Sequence, residues 1–161
     1  MLTVHVVVCL IALLAGAVVL AALCSGRRQP IRDAVLLLST ALISLTGFPL
    51  ASPPGTPTPD PARILGVIEL VMVVIAVLAL RVGHLASAWR GIYVVAMVLA
   101  VYFNVFVAVV QAFLKIPALH ALAPHGNEPP FLVAQIVVLA IFVWLTYRAA
   151  RRFHAAAAQI T

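Results

Sequence analysis

Of the 161 residues, 65% are hydrophobic and 9% are charged, ten Lys and Arg against four Asp and Glu. A soluble domain carries about 25% charged and about 45–50% apolar residues, so most of this chain has lipid rather than water as its solvent. The same arithmetic excludes nucleic-acid binding as the meaning of the +6 net charge, because the basic residues lie at the ends of apolar runs, and it excludes a disulfide scaffold, because both cysteines lie in or beside such runs.

In chain order, five apolar stretches are long enough, or nearly so, to cross a hydrocarbon core of about 30 Å at about 1.5 Å per helical residue. They are Leu2–Leu23, Ala34–Leu50, Ala62–Leu80, Gly91–Phe113 and Phe131–Tyr147. Their continuous rather than alternating hydrophobicity predicts helices and argues against a barrel. The expected fold is therefore all-α: one transmembrane domain over residues 1–161, a polytopic five-span bundle.

The first stretch is not read as a secretory signal. Met1-Leu2-Thr3-Val4-His5 carries no Lys or Arg and the apolar run is too long, while Leu23 before Cys24 does not suit lipoprotein cleavage. Arg27, Arg28 and Arg32 follow the first span, Arg81 and Arg90 bracket the turn after the third, and Arg148, Arg151 and Arg152 follow the fifth. Only Arg63 and Lys115 lie on the opposite side. The positive-inside rule then puts the N-terminus outside and the C-terminus in the cytoplasm. A four-span arrangement with a buried hairpin would scatter the arginines to both sides.

The two sides also differ in loop chemistry. Ten of the eleven prolines fall in 49–61 and 117–130, leaving only Pro30 on the arginine side. The 49–61 stretch lacks too many amide donors to be helical, and reads as a polyproline-like strap or a solubilising connector. The 114–130 loop alternates Lys115, His120, His125, Asn127 and Glu128 with Ile116, Leu119 and Leu122, which predicts a short amphipathic turn at the interface. The arginine-rich tail after Tyr147 continues the last helix and favours anionic headgroups.

Few polar residues interrupt the spans. His5, Ser44, Thr46, Glu69, Gln111 and Gln135 fall in the outer half and Asn104 near the middle, while the inner half is aliphatic apart from Ser39, Thr40, Ser87 and Thr146. Asn104 and Gln111 are seven residues apart and share a helix face that Lys115 extends outward. Glu69, about 10 Å below the outer boundary, is the one buried charge, and an ionisable residue at that depth is a functional candidate. These placements predict an outward-facing polar pocket of Glu69, Asn104, Gln111 and Gln135, with His5, Thr46 and Lys115 near it and the 114–130 loop as its rim. The competing expectation is that the amides are interhelical glue. Small residues form two packing seams, Ala12 and Gly16 beside His5 and Cys9 on the first span, and Gly66, Ala76 and Gly83 beside Glu69 on the third. The seams suit packing within the chain or a homodimer.

Cys9 and Cys24 lie too far apart along one helix to meet. No HExxH, Walker A or glycine-rich nucleotide motif occurs. His5 and His84 belong to opposite sides and cannot share a haem. No cofactor or metal is expected, and no catalytic residues are assigned.

Thr46-Gly47-Phe48-Pro49, Asn104-Val105-Phe106-Val107 (preceded by Tyr102-Phe103), Gln111-Ala112-Phe113-Leu114-Lys115-Ile116-Pro117-Ala118-Leu119 and Glu128-Pro129-Pro130-Phe131 carry a likeness over most of the chain. On these the chain resembles a group of small uncharacterised bacterial integral membrane proteins. The resemblance implies a multi-pass helical bundle of the bacterial inner membrane with no assigned activity. In size and span number the chain is also similar to the tryptophan-rich sensory proteins that bind porphyrins and sterols, but Trp89 and Trp144 do not reproduce their Trp/Pro pattern, so that likeness is architectural.

The functional expectation is a binding protein for a small or lipidic ligand, or for a partner subunit, at the outer pocket. The alternative is a solute or proton permeation subunit with Glu69 as its titrating group. An intramembrane enzyme or haem protein using His5 and Glu69 comes third. Expected partners are membrane lipid and a second subunit or homodimer, with no nucleic acid.

Overall fold

The structure, a computed structural model, describes residues 2–48 and 60–158, the last five of these in their backbone only. Among the described residues there are six helices and no strands: α1 Leu2–Cys24, α2 Pro30–Gly47, α3 Pro61–Arg81, α4 Ala88–Lys115, α5 Pro117–His120 and α6 Pro129–Ala158. All but α5 are long and apolar enough to cross a membrane, the architecture of a multi-pass membrane protein. The expected strap at 49–59 lies outside the described residues.

Proline opens four of these helices, at Pro30, Pro61, Pro117 and Pro129. Its fixed φ and missing N–H suit the first helical position, where the amide has no partner in any case. At α3 the start is reinforced by Asp60, whose Oδ1 accepts the Ala62 amide at 2.8 Å. Because Pro30 starts α2 four residues before the expected boundary, Arg32 and Asp33 belong to the helix. Similarly, α4 takes in Trp89 and Arg90, and α6 runs on past Tyr147 as the arginine-rich tail.

The five long helices close a ring in which α1 packs on α2, α2 on α3, α3 on α4, α4 on α6 and α6 on α1. Helix α4 also crosses the ring to α1 and touches α2. The core is a dry belt of Val19, Leu23, Leu36, Leu37, Val94, Met97 and Val98. The outside is apolar too: Leu14, Leu38, Ile136 and Val143 are each more than 60% exposed. A bundle with its aliphatic side chains outside and its polar ones inside is matched to lipid.

One end of the bundle carries the α1–α2 and α3–α4 turns and the C-terminal part of α6; we call it the arginine end, and the opposite one the proline end. At the arginine end Trp144 and Tyr147 hold Arg148 and Arg151 over their rings at 5.3 and 5.4 Å, as in the aromatic belts of membrane interfaces. The α1–α2 turn closes through Gly26, at φ +70, with the Arg27 amide reaching back to the Ala22 carbonyl at 2.9 Å. In the α3–α4 turn the Trp89 ring lies so close to Gly83 that a Cβ there would meet Cγ at 2.2 Å. His84, Leu85 and Ser87 all take left-handed backbone to bring it there.

Gly16 and Ala12 are buried, and a Cβ on Gly16 would stand 2.8 Å from Val101 Cγ1. The first small-residue seam therefore serves α1–α4 packing within the chain.

At the proline end the 114–130 segment contains one short helix, α5, packed on α4, followed by a turn closed by Glu128. Its Oε1 accepts from the His125 amide and lies 3.0 Å from His125 Nδ1, and its Oε2 accepts from the Asn127 amide at 3.1 Å. A residual loss of hydration pushes this carboxyl up, but the His125 and Asn127 bonds outweigh it and hold the group down at about 2.

Two predictions follow from these contacts. Gly16→Ala should destabilise the protein in detergent by about 1–3 kcal/mol, and combining it with Val101→Ala should cost less than the sum of the single changes. Strict additivity in thermal unfolding would mean that the two positions do not meet. For Glu128, a depressed folded-state pKa makes the turn's stabilisation present above the ordinary carboxylate range and lost as pH falls toward about 2. The His125 and Asn127 amide resonances should therefore titrate with a midpoint near 2 in micelles; a midpoint near the ordinary value would contradict the closure.

Candidate functional site

Helix α2 is the least apolar of the five spans, and its buried stripe runs through Asp33, Leu36, Leu37, Thr40, Ile43 and Ser44. Three hydroxyls of α2 satisfy themselves locally. Ser39 donates to the Val35 carbonyl at 2.7 Å, Ser44 to the Thr40 carbonyl at 3.1 Å and Thr46 to the Leu42 carbonyl at 2.6 Å. Thr46, Ser44 and Thr40 then meet the polar side chains of the other helices.

Three such bonds descend from the proline end. His5 Nδ1 on α1 lies 2.8 Å from Thr46 Oγ1. With the Thr46 hydrogen committed to Leu42, the ring nitrogen is the donor. Next, Glu69 on α3, 4% exposed, has its Oε2 2.9 Å from Ser44 Oγ. Deepest, Asn104 on α4 donates from Nδ2 to Thr40 Oγ1 at 3.1 Å and to the Ala100 carbonyl at 2.8 Å. From Thr46 to Thr40 the stair descends about 9 Å at 1.5 Å per residue. Below it the dry belt closes the bundle.

Glu69 has no cation within ion-pair distance among the described residues. Ser44 has one hydroxyl hydrogen and two acceptors, the Thr40 carbonyl and Glu69 Oε2. Both contacts are bonds at once only when the carboxyl itself carries a proton and donates to Ser44; otherwise the hydroxyl serves one acceptor at a time. Above Glu69, the Phe48 ring packs on Gly66, where a Cβ would stand 3.5 Å from Cε1. The Thr46-Gly47-Phe48 part of the sequence motif thus supplies both the His5 partner and an aromatic cover one turn above the carboxyl.

The remaining predicted site residues stand apart from this stair. Gln135 on α6 donates from Nε2 to the Phe106 carbonyl of α4 at 3.3 Å, and its buried Oε1 has no hydrogen-bond partner among the described residues. Gln111 and Lys115 are exposed. Seven residues along an α-helix return about 20° short of the starting direction, and past Asn104 the only buried position on α4 among the described residues is Phe113, so Gln111 shares the heptad position of Asn104 but not its burial. Glu69, Asn104, His5 and Thr46 are therefore gathered along α2, Gln135 belongs to the α4–α6 contact, and Gln111 and Lys115 lie on the surface.

A second polar cluster, not expected from the sequence, sits at the arginine end. Asp33 is 2% exposed, and its Oδ2 accepts from Tyr93 Oη at 2.8 Å and from Arg28 Nε at 3.2 Å. Tyr93 is fully buried on α4, with Phe153 beside it at 6.1 Å between ring centroids and the Arg28 guanidinium 5.9 Å above its ring. The available signal was an acid within a run of arginines, opposite the only tyrosine in the inner half of α4.

Two cavities are the best formed. One, of about 320 Å³, is a shallow apolar recess between α1 and α6 lined by Leu20, Cys24, Trp144 and Arg148. The other, of about 580 Å³, lies between α2 and α3 beside Arg28, Asp33 and Arg81. Among the described residues no group of three or more His, Cys, Asp or Glu could hold a metal ion.

Tyr93→Phe should leave one buried Asp33 bond unmade and lower stability in detergent by about 1–2 kcal/mol, with Asp33→Ala costing more because Arg28 and Tyr93 then both lose their acceptor. Equal costs for the two would mean that Arg28 contributes nothing to the cluster. Compared with known proteins, no family model matches the chain, and neither a curated protein nor a solved structure matches it.

Proposed function

We propose that this is a small multi-pass protein of the bacterial inner membrane that binds a small or lipidic ligand, or a partner subunit, from its proline end. In this reading the arginine end faces the cytoplasm, because Arg27, Arg28, Arg32, Arg81, Arg90, Arg148, Arg151 and Arg152 all belong to it. The membership suggested by the Thr46–Pro49, Asn104–Val107, Gln111–Leu119 and Glu128–Phe131 motifs is part of the same proposal.

The observation that carries it is the one-sidedness of the polar stair. Three interhelical bonds descend from the proline end to Asn104, and the belt of Leu36, Leu37, Val94, Met97 and Val98 closes the bundle beneath them. A polar stair that enters from one end and stops at an apolar belt suits holding a ligand better than passing one. Glu69 is its chemically distinctive member, since among the described residues its one hydrogen-bond partner is a hydroxyl, and a donor on a ligand or partner would gain most there.

A proton-permeation role has one observation in its favour. Ser44 stands between two acceptors and can exchange one for the other as Glu69 gains or loses a proton. The dry belt below it interrupts the path.

The full chain, purified in mild detergent, should carry a bound species by native mass spectrometry. Glu69→Gln, which keeps the shape of the side chain, should cut its retention about tenfold, the equivalent of one charge-assisted hydrogen bond. A bare-chain mass under every extraction condition would sink the binding reading. In proteoliposomes carrying a pH gradient and an entrapped pH dye, the expected result is no proton flux above empty vesicles. Flux that Glu69→Gln abolishes would replace binding by permeation.

A further inference from the structure

We propose that the groove between α2 and α3 at the arginine end is a site for one anionic phospholipid, held by its phosphate between Arg28 and Arg81. The groove has a volume of about 580 Å³, and its lining changes character along its length. At its mouth stand the two guanidinium groups and Asp33. Toward the bundle centre its walls are Leu37, Leu38, Val77 and Leu80. A charged mouth leading into an aliphatic trough, on helices that cross the membrane, matches a headgroup followed by the first part of an acyl chain. It matches neither a soluble anion, which has no use for the trough, nor a hydrocarbon, which has no use for the mouth.

The charges select the kind of lipid. Arg28 and Arg81 against Asp33 leave the mouth with one net positive charge, the complement of a phosphodiester without a balancing ammonium. Asp33 does not compete for the lipid phosphate, because its Oδ2 is already taken by Tyr93 and Arg28. The carboxylate instead positions the guanidinium: Arg28 engages it through Nε and is steadied over the Tyr93 ring. Its terminal nitrogens make no hydrogen bond among the described residues and are free to form the fork that guanidinium presents to phosphate. Arg81, exposed at the end of α3, makes no ion pair among the described residues. The depth is consistent as well, since Trp144 and Tyr147, with their stacked arginines, belong to the same end.

The proposal is independent of the polar stair at the proline end, and the apolar belt separates the two. The test uses the full chain in a neutral detergent, with native mass spectrometry during titration by dioleoyl phosphatidylglycerol or dioleoyl phosphatidylcholine. The first phosphatidylglycerol should bind more tightly than phosphatidylcholine. Arg81→Ala should weaken it about fivefold, the effect of one basic residue near a lipid phosphate. Val77→Trp, which fills the trough without changing charge, should remove the tight site and is free of the long-range effect of a charge change. Arg28→Ala is the poorer variant because it unpairs a buried carboxylate. Arg152→Ala and Glu69→Gln should leave the first phosphatidylglycerol unchanged.

Equal affinity for the two lipids would overturn the proposal, as would a loss in Arg152→Ala as large as that in Arg81→Ala. Full binding by Val77→Trp would overturn the trough. Competition by inorganic phosphate at matching concentration would make it an anion site rather than a lipid site. A lipid-free dimer that Val77→Trp dissolves would assign the groove to a second copy of the chain.

Discussion

A polar side chain buried in a lipid-embedded bundle has no water to turn to, so its partner must come from the protein, and most of the bonds between helices here end on α2. Tyr93 and Arg28 meet it at Asp33, Asn104 at Thr40, Glu69 at Ser44 and His5 at Thr46. The stripe that receives them is also the stripe that packs, since Leu36, Leu37 and Ile43 alternate with the polar positions. Ring order follows from this. Helix α2 sits between α1 and α3 and faces α4, the three helices that carry the residues it must satisfy. Helix α6, which makes no polar bond to α2, is the most exposed span.

Ser and Thr suit this task because they do not depend on it. Ser44 and Thr46 can return their hydrogens to the carbonyls one turn back, so breaking an interhelical bond leaves no unpaired donor on α2. The cost of the break falls instead on the partner, and it is far larger for Glu69 than for His5, which is only half-buried near the end of the bundle. This asymmetry sets Glu69 apart from Asn104. Asn104 retains the Ala100 carbonyl on its own helix when Thr40 is lost, whereas Glu69 has no second bond among the described residues.

The five spans were legible because their signal is collective: runs of apolar residues long enough to cross the hydrocarbon core survive errors of several residues at each boundary. The α2 boundary shows where that breaks down. Arg32 and Asp33 look interfacial beside Arg27 and Arg28, yet Pro30 starts the helix ahead of them and Tyr93 draws Asp33 inside. Depth was also legible: Glu69, expected within the third span, and Asn104, expected near the middle of the fourth, are both buried. Direction was not. Hydroxyl partners on α2 could not be paired with particular acceptors, because pairing depends on which helices become neighbours around the ring. Gln111 was misplaced for a related reason: a heptad conserves face but says nothing of how far along α4 its neighbours accompany it.

Two polar clusters on one helix, separated by a belt that admits no water, have a mechanical consequence. Between Thr40 and Asp33 the buried residues of α2 are Leu36, Leu37 and Ser39; the leucines join Val94, Met97 and Val98 in the core, and Ser39 spends its hydroxyl on the Val35 and Leu36 carbonyls of its own helix. Among the described residues no chain of side-chain hydrogen bonds crosses that interval, so a change at Glu69 reaches the arginine end by moving α2 as a body. At that end the helix is anchored by the Asp33 bonds to Arg28 and Tyr93 and by the Gly26 turn that ties it to α1. Toward the proline end its polar attachments are the single side-chain bonds to Asn104, Glu69 and His5, each able to exchange one partner for another. A ligand that takes Glu69 from Ser44 therefore acts on the more weakly tied end of a helix whose other end is fixed. Its free energy goes into re-pairing hydroxyls on α2 rather than into repacking the core.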